Sequence, residues 1–408
     1  MTLKWPAAAA SRHRTRRLVT PLSAREVEVG GRRYLNFASN NYLGIAQHPE
    51  VIRAYAEALQ STGASSSSAA LITGFQPAHD YLTRQLCEWW QREDLLLFNT
   101  GFAANSGVLR TLAPHYARIW LDRLAHASLL DGVQTQQAGN LSGRWRRFAH
   151  NNLEQLAGLV QSAAAQAAST TTPQHQLVIT ESIFSMDGDE APLSSLVALL
   201  ANPANAHAEV DLWVDDAHGV GVYGDSGAGC GGSYSQAQVP YLTATFGKAL
   251  GVAGACFSAS NDCIDYVLNH AREYIYSTAM PAAQAAAVSR AVTLIQSPWG
   301  ANQRQRLMQN IAQFRAQAEQ LPWQLLPSSS AIQGVLCGSD AAALACAENL
   351  RAQGIWAVAI RSPTVPKGTA RVRLTLSAEH TEADLDQLQQ ALLRAAANQL
   401  PAPATEVS

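Results

Sequence analysis

The sequence predicts an α/β fold, in which helices cover a mostly parallel β-sheet on both faces, and three observations support this. The chain has 408 residues, enough for a large core and two or three structural units. Its residues are 47% hydrophobic and only 15% charged, against about 25% charged residues in an ordinary soluble domain. From residue 77 onward, short apolar runs alternate with amphipathic stretches, which is typical of strand–helix units on a buried parallel sheet.

The first predicted element is a hairpin. Residues 26–37 alternate in polarity and carry Gly30 and Gly31 between two β-like runs. The strands of the main sheet are predicted where a short apolar run is followed within a few residues by Gly, Ser or His. These runs are LLLF at 95–98, IWL at 119–121, LVIT at 177–180, LWVDD at 212–216 and LTATF at 242–246.

The C-terminal part of the sequence has a different pattern from the strand–helix repeats before it. A periodic segment from Ala282 to about Leu321 predicts one or two helices, and the PSSSA break at 327–331 ends it. The following tail has a strand–helix–strand pattern, which indicates a second, smaller domain. Its pieces are IQGVLCG, ALACAENLRAQG, WAVAI and RVRLTL.

Charge and cysteine content exclude several classes of function. Lys and Arg total 29 against 31 Asp and Glu, a net charge of -2, so no global field draws the chain onto nucleic acid or an anionic membrane. No apolar stretch reaches the roughly 18 residues of a membrane span, and the N-terminal segment lacks the apolar core of a signal peptide. The six cysteines form no metal-binding pattern. We therefore expect a cytoplasmic protein with a small-molecule substrate and no metal.

Polar residues just after the predicted strands mark the candidate site, because ligands of parallel α/β sheets bind beyond the carboxyl ends of the strands. Asp215, Asp216 and His218 follow LWV, and Lys248 follows LTAT between glycines. Gly101 and Phe102 open a helix after LLLF, and His126 follows IWLD. Each has an ordinary structural explanation when taken singly: a helix cap, a solvated lysine, a satisfied histidine or a tight turn.

Together these residues indicate a pyridoxal phosphate site. The set offers a lysine able to form a Schiff base, a carboxylate for a protonated pyridine nitrogen, a histidine at stacking reach and a helix N-terminus for phosphate. Adjacent residues on a strand point to opposite faces, so of the two aspartates we expect only Asp215 to address the ring. We expect the glycines beside Lys248 to leave its amine room to move.

Long segments of the chain, from about Arg14 to about Leu388, resemble the α-oxoamine synthases among the fold-type I pyridoxal phosphate enzymes. The fold implied is a large, mostly parallel mixed-sheet domain with a smaller α+β domain. The implied boundaries are an N-terminal segment at 1–45 joining the small domain, a large domain at 46–285, a small domain at 286–395 and a disordered tail at 396–408. The segments are LNFASNNYLG (35–44), GFAAN (101–105), DRLAHASLLDG (122–132), RRFAHNN (146–152), TESIFSMDGD (180–189), VDDAHGVGVYG (214–224), TFGKALGVAGA (245–255), YSTAMP (276–281) and AIRSPTVPKGTARVRLTL (359–376).

The resemblance implies pyridoxal 5'-phosphate as cofactor and a homodimer with shared active sites. Lys248 would carry the cofactor covalently, Asp215 would pair with its pyridinium nitrogen, and His218 would hydrogen-bond the ring hydroxyl oxygen. The remaining implied residues are His126, stacked on the ring and also binding substrate; Ser185, close to the cofactor; Gly101, Phe102 and Thr245, at the phosphate; Thr278, reaching the phosphate from a second subunit; Asn40, Arg361 and Thr364, at the amino acid carboxylate or the product; and Arg14, at the end of the acyl chain.

The reaction implied is the decarboxylative condensation of an amino acid with an acyl thioester. The wording of RRFAHNN, YSTAMP and the segment 359–376 favours L-alanine and a pimeloyl thioester of coenzyme A or acyl-carrier protein, in biotin biosynthesis. Synthases of the same family that use glycine or serine share the Lys, Asp and His, so these residues do not discriminate. A non-catalytic partner subunit, expected to lose the lysine, and a fold-type I aminotransferase are further alternatives.

The chain departs from the family in one loop. Residues 62–75 read TGASSSSAALITGF, where the family usually has a glycine-rich stretch such as GSGGSG. Small residues are kept and backbone freedom is lost. The resemblance therefore leaves the conformation of this loop open.

Overall fold

A computed structural model describes residue 5 and residues 15–134, 143–167, 175–202 and 209–398. Arg14 and residues 399–408 of the predicted tail lie outside the described residues. The contacts divide the chain into two units. The smaller unit comprises Met1–Tyr42, Met186–Asp189 and Arg306–Ser408; the larger comprises Leu43–Ser185 and Glu190–Gln305.

The elements alternate between strands and helices through most of the chain. The strands are β1 (Thr20–Pro21), β2 (Glu26–Val29), β3 (Arg32–Asn36), β4 (Asp94–Phe98), β5 (Arg118–Asp122), β6 (Trp145–Phe148), β7 (Gln176–Glu181), β8 (Val210–Asp215), β9 (Tyr241–Thr245), β10 (Ala255–Ala259), β11 (Ile332–Gly338), β12 (Ile355–Trp356), β13 (Val358–Ile360) and β14 (Ala370–Thr375). The α-helices are α1 (Pro49–Thr62), α2 (Pro77–Trp90), α3 (Gly101–Leu112), α4 (Ala127–Gln134), α5 (Leu153–Ala167), α6 (Leu193–Leu200), α7 (Asn261–His270), α8 (Arg272–Ile275), α9 (Ala282–Gln296), α10 (Pro298–Ala318), α11 (Asp340–Ala352) and α12 (Glu382–Ala397).

A seven-stranded sheet in the order β4-β10-β9-β8-β7-β5-β6 forms the centre of the larger unit. All five predicted runs lie in it, and the pairs from β6 through β9 are parallel. Strand β10 was not predicted and is antiparallel to both of its neighbours, β4 and β9. Its sequence ACFSA is short and mostly small, so it gave little pattern to detect.

Helices bury both faces of this sheet. Every residue of β7 is buried, as expected for an internal parallel strand. One core cluster joins Val108 and Leu109 of α3 to Leu177, Trp213 and Phe257 of the sheet. The centroids of the Trp213 and Phe257 rings are 4.8 Å apart, so aromatic packing joins β8 to β10 across the intervening strand β9.

The Ser-rich loop has a defined conformation. Ser67 has φ +56°, in the left-handed region that glycine adopts most easily. The Ser67 N–H donates to Ser65 Oγ at 3.0 Å, and Ser66 Oγ donates to the Met280 carbonyl at 2.6 Å. Serine hydroxyls thus hold by hydrogen bonds a turn that the family usually builds from glycine.

The smaller unit contains two sheets. The predicted hairpin is present: β2 and β3 pair antiparallel, with Gly30 at φ 60° and Gly31 at φ 77° in the turn between them. The second sheet has the order β11-β14-β13 and is antiparallel throughout. Strand β14 lies in the middle of this sheet, and the chain between its two outer strands passes through α11 and through β12 of the first sheet. The buried Arg371 of β14 forms an ion pair with Asp187 within this unit.

The boundaries between the two units lie at different residues from those that the sequence predicts. Helix α9 packs on α1 and α2 and belongs to the larger unit, although a boundary at 285/286 falls inside it. The predicted tail would begin at residue 396, whereas α12 continues to Ala397. Two helices, α9 and α10, occupy the periodic segment from Ala282. None of the helices in the described ranges combines the length and apolar character that crossing a membrane requires.

Candidate active site

Five parallel strands, β5 to β9, end at one edge of the seven-stranded sheet, and most of the predicted site residues lie there. Asp215 is the last residue of β8 and Thr245 the last of β9. His126 follows β5, and Lys248 follows β9. This is the edge at which parallel α/β sheets bind ligands, as the sequence predicts.

Asp215 is a buried carboxylate with two hydrogen-bond donors. It is 5% exposed, and its Oδ1 accepts from the Ala217 N–H at 3.0 Å. Its Oδ2 accepts from Asn105 Nδ2 at 2.6 Å. A flipped amide would place two acceptor oxygens against each other, so the carboxylate itself fixes the orientation of Asn105. Both oxygens of the Asp215 carboxyl thus have a hydrogen-bond donor within the larger unit.

A hydrogen-bond chain connects Asp215 to His126. The second N–H of Asn105 Nδ2 donates to Ser128 Oγ at 2.9 Å, and Ser128 Oγ lies 2.8 Å from His126 Nδ1. The Ser128 backbone N–H also donates to His126 Nδ1, at 3.2 Å. His126 Nδ1 is therefore an acceptor, which leaves the ring proton on Nε2. Desolvation lowers the pKa of His126 and Lys248 lowers it further, while Asp215 opposes both.

Asp216 faces a different set of groups from Asp215. Its Oδ1 lies 2.5 Å from Ser182 Oγ, and its Oδ2 accepts from the Gly231 N–H at 3.0 Å. The residue is 0% exposed, and burial raises its pKa to about 7. The alternation of side chains along a strand separates the two carboxyls, as the sequence predicts.

Two glycines lie close to Lys248 in the loop after β9, and their surroundings differ. Gly251 has φ +65°, and a Cβ there would lie 2.6 Å from the Ala46 backbone nitrogen. Apart from its chain neighbours Phe246 and Lys248, the nearest described atom to a Cβ on Gly247 would be the Val252 carbonyl oxygen at 3.9 Å. Gly251 is therefore needed for the conformation of the chain, while the expectation that the glycines beside Lys248 leave its amine room to move stays a prediction.

Helix α3 begins beside the end of β9. Thr100 caps it, because its side chain accepts from the Ala103 N–H at 3.1 Å. The N–H groups of Gly101 and Phe102 lie in the first turn, where no intrahelical partner is available. A Cβ on Gly101 would lie 2.5 Å from Thr245 Cγ2, so only glycine permits this close approach. The first turn of α3 and Thr245 thus form one small, donor-rich surface.

Three other predicted residues, His218, Ser185 and Thr278, belong to the larger unit. His218 and Ser185 follow the ends of β8 and β7 within a few residues of the sequence. His218 is buried in the turn after β8, and Ser185 is half-buried beyond β7. Thr278 is exposed; the Asn99 side chain donates to its carbonyl at 2.8 Å, and its backbone forms a bridge with Ala69. Their roles remain predictions.

Apart from His126, the predicted substrate residues belong to the smaller unit or lie outside the described residues. Asn40 Oδ1 accepts from Arg373 Nη2 at 3.3 Å. Arg361 follows β13, and its carbonyl accepts from the Thr364 N–H at 2.9 Å. Arg14 is not among the described residues. Substrate binding by these four residues remains a prediction.

Sequence reasoning missed three polar residues of this edge: Asn105, Ser128 and Glu181. Asn105 lies within α3, four positions past Gly101, and Ser128 lies in the first turn of α4. Glu181 ends β7 in register with Asp215 and is 3% exposed. The detectable signal was a polar residue on a buried helix face and an acidic residue closing an apolar strand. No cluster of three or more possible metal ligands occurs in the described ranges.

Comparison with known proteins agrees with this geometry. Residues 32–392 match the aminotransferase class I and II family, and the chain belongs to this family. The fold matches a serine palmitoyltransferase from Sphingomonas wittichii with a TM-score of 0.82 and 27% identity, covering 93% of this chain and 91% of that one. A serine palmitoyltransferase from S. paucimobilis with PLP bound gives the same TM-score at 25% identity, with 93% and 92% covered.

Within this family, the chain is 43% identical over 381 residues to the 8-amino-7-oxononanoate synthases of Salmonella newport and Salmonella typhi. The alignment covers 93% of this chain and 94% of each relative. The 8-amino-7-oxononanoate synthase of Francisella tularensis shares the fold, with a TM-score of 0.72 at 24% identity, covering 90% of this chain and 97% of that one. The predicted resemblance and the predicted fold class are both confirmed.

The two glycines near Lys248 give a first test of the site. We expect Gly251→Ala to lower the stability of the protein by about 1–3 kcal/mol, because an L-residue is strained at this φ and its Cβ meets Ala46. Gly247→Ala, the matched control, should leave the thermal unfolding midpoint within about a degree of wild type. Differential scanning calorimetry checks both variants. Equal loss in the two would contradict the role assigned to Gly251.

Asp216 gives a pH-dependent prediction. Its pKa is raised to about 7 in the folded protein, whereas an unfolded chain titrates near 4. The unfolded state therefore releases this proton first, and the free energy of unfolding falls as pH rises from about 4 to about 7. In the protein Ser182 Oγ donates to Asp216 Oδ1; Asp216→Asn removes the titration, and its amide can donate to Ser182 Oγ instead while its oxygen still accepts from the Gly231 N–H.

The difference in urea midpoint between wild type and Asp216→Asn, measured from about pH 4 to 8, should move in favour of the variant and level off above about pH 7. Asp225→Asn, at an exposed carboxyl, is the control. Parallel curves for wild type and Asp216→Asn would show that the carboxyl is ionised across this range.

Proposed function

We propose that this protein catalyses the pyridoxal phosphate-dependent, decarboxylative condensation of L-alanine with a pimeloyl thioester, giving 8-amino-7-oxononanoate, carbon dioxide and a free thiol in biotin biosynthesis. The observation that carries the proposal is the position of two residues at neighbouring strands: the buried Asp215 ends β8, and Lys248 follows the end of β9. The 43% identity to synthases with this name supports the choice of substrates. Coenzyme A and acyl-carrier protein both remain candidate thiol carriers.

The described residues fit pyridoxal phosphate. Asp215 is a buried acceptor with donors on both oxygens, suited to a cationic ring nitrogen. Gly101 and Phe102 lie in the first turn of α3, so their N–H groups have no partner within the helix and suit a phosphate. A Cβ on Gly101 would fill the space beside Thr245. Bound pyridoxal phosphate supplies an electron sink for the charge that develops at the substrate α-carbon.

The chain's own residues then have distinct tasks. The Lys248 amine forms the covalent attachment and, once released, removes the proton from the alanine α-carbon as a general base. Asp215 keeps a proton on the ring nitrogen through its negative charge. His126 presents a neutral ring with its proton on Nε2, held by Ser128. His218 and Ser185 are proposed partners of the ring oxygen and its surroundings.

The substrate residues extend the proposal to the smaller unit. Arg361 is proposed to hold the alanine carboxylate, since a guanidinium can grip it through two parallel hydrogen bonds. Asn40 and Thr364 are proposed to contact the amino acid or product, and Arg14 the end of the acyl chain. We also propose a cytoplasmic location, where the free thiols of all six cysteines suit a reducing compartment.

The test is turnover of L-alanine with pimeloyl-coenzyme A and with pimeloyl acyl-carrier protein, followed by release of carbon dioxide and free thiol. The sequence holds only three lysines, Lys4, Lys248 and Lys367. Borohydride reduction of the yellow protein should therefore trap the cofactor on Lys248 alone. Lys248→Ala should lose at least about 10³-fold in turnover, because attachment and proton removal both depend on this amine.

Other outcomes would select the alternatives. Turnover with glycine or serine but not L-alanine would assign a different member of the family. Transfer of the amino group to a 2-oxo acid, without carbon dioxide release, would assign an aminotransferase. Normal turnover by Lys248→Ala, or trapping on Lys367, would remove Lys248 from its role.

We propose further that the protein is a homodimer in which Thr278 reaches the phosphate site of the partner. Thr278 is exposed, and Asn99 and Ala69 fix its backbone. Large apolar side chains are exposed around it: Ile72 is 76% exposed and Tyr276 is 72% exposed. Exposed apolar surface of this kind suits a protein interface.

Mixed dimers test this arrangement. Thr278→Asp should weaken cofactor binding at least about tenfold, because its charge repels a phosphate. Mixing Thr278→Asp with Lys248→Ala should restore one native site per mixed dimer, provided that Thr278 acts across the interface. Cofactor binding and turnover of the mixture, after unfolding and refolding together, are the measurements. A lack of restoration, or a monomer by sedimentation, would contradict the proposal.

A further inference from the structure

Strand β6 lies at one end of the seven-stranded sheet, beside β5, and the proposed mechanism gives no task to it or to the turn that follows it. Both belong to the segment RRFAHNN, which resembles the family. The turn carries His150, whose side chain is 20% exposed. Its imidazole contacts Asp122, the last residue of β5, and Phe184, beyond the end of β7.

The carboxyl of Asp122 joins the turn after β5 to the turn after β6. Its Oδ1 accepts from the Leu124 N–H at 2.8 Å and lies 2.9 Å from His150 Nδ1. Its Oδ2 accepts from the Asn151 N–H at 2.9 Å. Because both oxygens already accept from main-chain groups, His150 Nδ1 is the donor of its bond. The Asp122 side chain is 0% exposed, so the loss of a donor here is costly.

The turn that begins at Asp122 leads directly to His126, the predicted stacking ring. The Asp122 carbonyl accepts from the Ala125 N–H at 3.1 Å, and the His126 carbonyl accepts from the Leu129 N–H at 3.0 Å as α4 begins. Ser128 orients the imidazole of His126. The main chain that carries this imidazole depends on the turn that the Asp122 carboxyl stabilises.

The His150 ring also packs on the segment beyond β7. Its centroid lies 4.4 Å from that of Phe184, with the ring planes at 88°, an edge-to-face contact. Phe184 is 1% exposed and directly precedes Ser185, which is predicted to lie close to the cofactor. Beside His150, Asn151 Nδ2 donates to the Glu190 carbonyl at 3.1 Å. The turn after β6 therefore contacts both segments that carry predicted neighbours of the cofactor ring.

We propose that His150 is a positioning residue of the cofactor site, and that it acts through Asp122 on the turn that carries His126. This inference rests on the proposed function. The hydrogen bond from His150 stabilises the turn before the cofactor arrives, so less ordering of the chain is left to binding. Its loss weakens cofactor binding only through the contribution that the His126 ring makes.

Two substitutions separate the donor from the bulk of the ring. His150→Leu removes the donor and keeps an apolar side chain against Phe184, and we expect pyridoxal phosphate to bind about tenfold more weakly. His150→Asn keeps an N–H donor in place of Nδ1, and its affinity should stay within about threefold of wild type. Titration followed by visible absorbance measures both. Wild-type affinity in a folded His150→Leu protein would overturn the proposal.

The matched control is His175→Leu. His175 Nδ1 also faces a carboxylate, Glu209 Oε2 at 3.1 Å, but both side chains are exposed. Exposed pairs of this kind contribute little, so the control should bind the cofactor as wild type does. A loss equal to that of His150→Leu would show that removing any paired histidine has this effect, and would contradict the role of His150.

A double-mutant cycle tests whether His150 acts through His126. In a His126→Ala background the stacking ring is absent, so adding His150→Leu should change cofactor affinity by less than about twofold. A general structural role would not distinguish the two backgrounds. A loss of about tenfold in both would therefore overturn the proposal.

Hydrogen exchange of the full chain without cofactor separates this inference from the proposed function. His150→Leu should speed amide exchange in the segment 122–132, whereas His150→Asn and His175→Leu should match wild type there. Residues 241–245 of β9 serve as the internal reference. Unchanged exchange in His150→Leu would overturn the proposal. A wild-type protein that takes up no pyridoxal phosphate would contradict the proposed function, while the exchange data would still decide whether His150 stabilises the turn.

Discussion

The hydrogen bonds of Asp215 are the constraint on which this edge of the sheet depends. A buried carboxylate is costly unless donors surround it. Here one donor comes from the turn after β8 and the other from the Asn105 amide on α3. The same amide reaches Ser128 and, through it, His126. Satisfying one charge thus fixes a helix, a strand end and an imidazole in a single arrangement.

Asp216 follows Asp215 directly in the sequence and places a second carboxyl nearby, but the two carboxyls contact different groups. Asp216 is turned toward Ser182 and Gly231, where its hydrogen bonds are all to structural groups. Gly229 is required beside it, because a Cβ there would lie 2.1 Å from Asp216 Oδ2. Asp215 therefore contacts groups on the side of the proposed cofactor, whereas Asp216 contacts Ser182 and the glycine-rich turn.

Much of this could be read from the sequence because strand ends are local features. The apolar runs located β4, β5, β7, β8 and β9, and the position of Asp215 after one of them marked the site. Strand β10 escaped prediction since its small residues resemble the Gly-rich segment before it. Asn105, Ser128 and Glu181 escaped because each resembles an ordinary helix or strand residue until the fold brings it beside Asp215. Their value depends on non-local contacts, which spacing along one chain does not contain.

The reversal of β10 has a consequence for how Lys248 is held. Parallel neighbours must be joined by a crossover, but β9 and β10 are antiparallel, so residues 246–254 return directly along the same sheet. The loop closes at its base through the Phe246 N–H to the Gly254 carbonyl at 2.8 Å, and Val252 N–H bonds back to the Phe246 carbonyl at 2.9 Å. Closing so short a segment leaves little conformational entropy to lose later. Ligand binding therefore does not have to order this segment, and more of the interaction energy remains available for affinity and chemistry.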